Sequence, residues 1–71
     1  MFLDKAILGK TYIVKNINIE DSDLTSFLFS LGCYSGEPIT VISRQRSTCV
    51  IAVKDGRYSI DKGLQMLIEI D

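Results

Sequence analysis

Histidine and tryptophan are both missing from these 71 residues. Without imidazole, no side chain has an ordinary pKa near neutrality, which excludes His-based acid–base catalysis, Ser-His relays and His metal ligands. Cysteine is sparse: Cys33 and Cys49 stand alone, with no CxxC pair and fewer than the four or more a stapled secreted domain carries. Both read as reduced core or turn residues. Cys49 has no neighbouring base to make it a thiolate, and an ordinary thiol is mostly protonated at neutral pH. A basic excess is also missing, with eight Lys and Arg against nine Asp and Glu and a net charge of −1. General affinity for nucleic acid draws on such an excess, so no nucleic acid is expected as partner. No run approaches the roughly 18 apolar residues of a membrane span. Asp4 interrupts the N-terminal Met1-Phe2-Leu3 where a signal peptide would stay apolar. The expectation is a cytoplasmic protein with no direct membrane insertion. The glycines spell neither GxGxxG nor a P-loop. Taken together, the chain is not equipped as an enzyme: no catalytic residues, no metal set and no cofactor site are expected.

What is present suits one folded domain spanning 1–71, with 46% hydrophobic residues and a single proline. A chain of this length buries only about 60% of its unfolded surface, so stability is marginal. The core must come from Ile, Leu and Val.

Leu3 to Gly9 reads as a lead-in turn. Thr11 to Ile19 is a β-branched run whose alternation changes phase near Lys15-Asn16, the mark of a bend or bulge. Ser22 opens a helix as an N-cap, and Leu24, Phe27, Leu28 and Leu31 follow at i, i+3, i+4 and i+7 as one apolar stripe expected in the core. Gly32 supplies the left-handed stop. Pro38 to Ser43 reads as a strand, Arg44-Gln45-Arg46-Ser47-Thr48 as a polar loop, and Cys49 to Lys54 as the next strand. Asp55-Gly56 signals a hairpin turn, after which Arg57 to Ile60 pairs back. Asp61 to Met66 turns the chain through a short helical turn, and Leu67 to Ile70 closes it as a last strand. The pattern is mostly β: a small, partly closed β-barrel of about five strands with one short α-helix near residues 22–31.

Three features carry candidate function. Glu20-Asp21-Ser22-Asp23 is the one acidic cluster; a solvated helix N-terminus explains it better than an oxygen-ligand cation site. Arg44, Arg46 and Arg57 flank one hairpin and would serve an alternative role as a small RNA-associated module. Phe29, Tyr34 and Met66 fit no core pattern and are the candidate partner-binding residues, being of the types enriched at interfaces.

Leu3 and Gly9, then Leu24-x-x-Phe27-Leu28-x-x-Leu31-Gly32-x-x-x-Gly36-x-x-Ile39-x-Val41, then Val50 to Ile60 and Ile68-Glu69-Ile70, resemble the FeoA family over nearly the whole chain. That resemblance implies an SH3-like barrel and a non-enzymatic accessory protein of bacterial ferrous iron uptake. It also implies protein–protein contact with the cytosolic portion of the FeoB transporter, and self-association is a further expectation. The chain departs from the family at Phe27 and Asp61, where arginine is usual, and at the Arg44–Thr48 loop, which usually bears Gly and Pro.

Overall fold

Alternation along the strands sets the architecture of the computed structural model, which describes residues 1–18 and 22–71. β3 (Thr48–Val53) shows the rule: Cys49, Ile51 and Val53 are buried while Thr48, Val50 and Ala52 face outward. β1 (Thr11–Ile17) buries Tyr12, Val14 and Ile17, and β2 (Pro38–Arg44) buries Ile39 and Val41. With β4 (Gly56–Asp61) and β5 (Ile68–Ile70) they form one antiparallel sheet in the order β4-β3-β2-β1-β5. β4 and β5 are its two edges, so the barrel is curled but not closed.

Two irregularities curl it. The β1–β5 register shifts between Val14 and Asn16, where the phase change at Lys15-Asn16 places a bulge, and the β2–β3 register shifts between Val41 and Ser43. An extra residue on one strand bends the ladder and strengthens its twist. The buried Leu3 of a short 3-10 turn (Leu3–Lys5) joins the core formed by the inward residues of the strands.

The helix α1 (Ser22–Ser30) forms where expected, but its apolar stripe does not lie where the leucine spacing puts it. Leu28 is fully buried and Leu31 packs against the core, whereas Leu24 and Phe27 are 38% and 45% exposed. The inward line is Thr25, Leu28 and Leu31, a three-residue spacing. A nine-residue helix laid on the rim of a small barrel touches it along a narrow line, which leaves the neighbouring positions in water. The helix ends in a Schellman motif: Cys33 N–H donates to Leu28 O at 2.9 Å and Gly32 N–H to Phe29 O at 2.9 Å, with Gly32 at φ +90°. The strand expectation over Ile19, and Glu20-Asp21 of the acidic cluster, lie outside the described residues.

Three boundaries move. Arg44 and Thr48 belong to strands, so the loop between β2 and β3 shrinks to Gln45-Arg46-Ser47. The β3–β4 turn is Lys54-Asp55, since Val53 pairs with Gly56, and Lys54 takes the left-handed φ of 54°. Asp61 ends β4 and caps α2 (Lys62–Gln65), its Oδ1 accepting from Leu64 N–H at 2.8 Å.

Candidate interaction surface

The C-terminal turn of α1 and the β3–β4 turn meet over Gly32. Having no Cβ, Gly32 leaves room for the stem of Lys54; a methyl group there would run into Lys54 Cγ. Lys54 Nζ then reaches Glu37 Oε1 at 2.8 Å and lies 5.2 Å from the centre of the Tyr34 ring. Tyr34 stacks in turn on Phe29, ring centres 5.5 Å apart, in an offset geometry that suits aromatic quadrupoles. The hydrogen bond to Glu37, and after it Tyr34, hold the Lys54 ammonium above the ordinary lysine pKa range. Phe29 is 54% exposed. The result is an exposed Phe29 ring stacked on a half-buried Tyr34, which the Lys54 cation steadies. A shallow groove of about 380 Å³ runs from Glu37 and Lys54 across Pro38, Thr40 and Ala52.

Phe29 and Tyr34 are thus brought together. Met66 is exposed but belongs elsewhere, at the end of α2, which packs on β4 and the 3-10 turn. Exposed Phe27 and Leu24 extend the apolar character of α1 beyond the residues singled out from the sequence. Spacing alone did not mark Phe27, which fits the apolar stripe of the helix as well as Leu28 does.

The three arginines do not share a surface. Arg44 turns its guanidinium back onto the 3-10 turn, donating to Asp4 O at 3.0 Å and to Leu3 O and Ala6 O at 3.3 Å. It fastens the N-terminal turn to β2 and is structural. Arg46 sits at the β2–β3 turn, beside a cleft of about 60 Å³ that Asp4 and Lys62 also line. Arg57 pairs with Ala52, four residues from the Thr48–Asp61 end of the hairpin, or about 13 Å along it. A single phosphate-tracking stripe is not assembled from these residues.

Cys33 and Cys49 are both buried and free. Burial pushes the Cys33 thiol up to about 11, and it raises Cys49 against the opposing pull of Arg44. Among the described residues no three His, Cys, Asp or Glu side chains cluster as a metal site, and no helix is long and apolar enough to cross a membrane.

Architecture and surface together define a small, open, SH3-like β domain. The FeoA domain model matches residues 1–71, and the chain belongs to that family, whose members are associated with ferrous iron transport. The FeoA of Stenotrophomonas maltophilia, solved with zinc and described as a procaryotic SH3 domain protein, is similar at a TM-score of 0.87 and 16% identity. That alignment covers 100% of this chain and 89% of the other. An iron uptake regulatory protein (FeoA) is 27% identical at a TM-score of 0.87, over 99% of this chain and 93% of its own. A manganese-dependent transcriptional repressor is similar at a TM-score of 0.88 and 17% identity; the alignment covers 96% of this chain but only 39% of the repressor. Among curated proteins none matches the chain.

Proposed function

We propose that this domain is a cytoplasmic, non-enzymatic accessory protein of ferrous iron uptake that acts by contact with the cytosolic portion of a FeoB-type transporter. The observation that carries the reading is the family match over the full 71 residues. The surface chemistry supports it. Phe29 is exposed and held in place by the half-buried Tyr34 ring stacked on it, so docking a partner there costs little side-chain entropy. Met66 supplies a second, adaptable apolar contact from the end of α2.

The test is titration of the immobilised cytosolic portion of the transporter with the parent domain and with Phe29→Ala, Tyr34→Ala and Met66→Ala. Each substitution weakens binding by about 1 kcal/mol or more while circular dichroism stays unchanged. Arg46→Ala, a loop charge in water, changes it less. Apolar variants that bind like the parent, with loss only in Arg46→Ala, would overturn the reading.

A further inference from the structure

The two edges of the open sheet are treated differently. At β5 the edge is only three residues long, and Met1 and Phe2 cover it: Phe2 bridges Glu69, and Ile70 N–H donates to Met1 O at 2.7 Å. At the other edge, β4 is six residues long and pairs with β3 without a single register shift. It holds no proline and no bulge, two of the devices that blunt an exposed edge, and the charges it does carry, Arg57 and Asp61, are of opposite sign.

The ladder fixes which backbone groups face outward. Gln45 N–H donates to Thr48 O, so Thr48 points its backbone toward β2, as do Val50 and Ala52 by alternation. Cys49, Ile51 and Val53 therefore face β4 and bond Ile60, Tyr58 and Gly56. Arg57, Ser59 and Asp61 turn their backbone N–H groups to the open edge. The side chains of these same three residues are on the solvent face.

We propose that this edge pairs with the β4 edge of a second copy, antiparallel, with Ser59 opposite the second copy's Ser59. Charge selects that register. Centred on Ser59, Arg57 of each copy stands directly opposite Asp61 of the other, so the two-fold axis creates two opposite-charge pairs on one face. Centred on Tyr58, Arg57 would meet Ser59; centred on Ile60, Asp61 would meet Ser59. Neither alternative brings the charges together. Asp61 is also held in place for the role, because its Oδ1 is fixed by Leu64 N–H and its Oδ2 is left to meet a guanidinium. The proposal rests on backbone direction and charge order and is independent of the transport reading.

Sedimentation equilibrium of the full chain, with amide shifts followed by NMR on dilution, tests it. A concentration-dependent dimer is expected, with the amides of Arg57, Ser59 and Asp61 shifting more than those of Tyr58 and Ile60. Arg57→Glu and Asp61→Arg each weaken dimerisation about tenfold or more, since each sets like charges opposite one another. An equimolar mixture of the two variants restores association. At one end of the mixed pair the introduced glutamate faces the introduced arginine, and at the other the unchanged Asp61 faces the unchanged Arg57. Since Asp61 also caps α2, Ser59→Pro is the independent variant: it removes an outward N–H, leaves the charges and the β3 bonds alone, and abolishes the dimer. A dimer insensitive to Arg57→Glu and Ser59→Pro would overturn the proposal. So would a chain that stays monomeric while its β4 amides shift only on adding a foreign protein.

Discussion

Gly32→Ala tests the joint between α1 and the β3–β4 turn, and its cost can be worked from the contacts. At φ +90° an alanine gives up about 1 kcal/mol relative to glycine. That backbone cost alone lowers Tm by roughly 4–8 °C in a domain this small. The new methyl group also collides with the stem of Lys54, close to the backbone, so the side chain must leave its seat. Leaving breaks the pair with Glu37 and takes the ammonium away from the Tyr34 ring. Both contacts are open to water and screened, so the backbone cost remains the larger share. Lys54→Ala removes the same polar contacts and also clears the collision. In that background Gly32→Ala should therefore cost the backbone share alone. Urea unfolding of the four proteins forms a double-mutant cycle, and residues in contact couple by about 0.5 kcal/mol or more. The expected sign is a double variant more stable than the sum of the single losses. Strict additivity would show that Lys54 is not seated on Gly32 and that the steadied aromatic pair is misread.

Two further outcomes follow from groups that the fold uses and the surface does not. Arg44→Ala removes three carbonyl contacts that hold the 3-10 turn, and should lower stability by about 1–2 kcal/mol and speed amide exchange at Leu3 to Ala6; unchanged exchange would mean the turn holds itself. Cys33 has its folded pKa raised from 9.0 to about 11 by burial, so its contribution is complete below pH 9 and is lost as pH rises toward 11. Cys33→Ala should flatten that alkaline fall in stability, and a variant with the parent's slope would assign the fall to other groups.

The positions of the strands along the chain and the bulge near Lys15-Asn16 were legible in the sequence because both are local: alternation reports burial two residues at a time, and a phase change reports an inserted residue. The Schellman stop at Gly32 was legible for the same reason. Two things were not. The hairpin signal Asp55-Gly56 placed the turn one residue late, because Lys54 accepts a left-handed φ when Glu37, Tyr34 and Gly32 hold its side chain from elsewhere in the chain. Arg44 read as a loop charge because its partners are the carbonyls of residues about forty positions away, which no spacing rule connects. Of the candidate surface, Phe29 and Tyr34 were marked by failing to fit the core, but their stacking depends on where the helix ends relative to the next strand.

The helix stripe is the sharpest case, and consecutive residues decide it. The spacing of Leu24, Phe27, Leu28 and Leu31 describes a wide apolar face, yet the barrel rim offers contact only along Thr25, Leu28 and Leu31. Phe27, Leu28 and Phe29 therefore do three different jobs within one turn. Leu28 fills the core with no exposed surface, and Leu28→Ala should cost about 2–5 kcal/mol. Phe27 is nearly half in water, so Phe27→Ala should stay within about 0.5 kcal/mol of the parent. Phe29 makes one aromatic contact and is more exposed still, so Phe29→Ala should cost at most about 1 kcal/mol. A small, marginal domain gains little fold stability from these two rings, so losses of partner binding in variants that remain fully folded at the assay temperature would locate their use in contact. Thermal melts giving a low-high-low pattern across 27, 28 and 29 fit this arrangement; a Phe27→Ala variant as unstable as Leu28→Ala would mean that the helix packs on its leucine stripe after all.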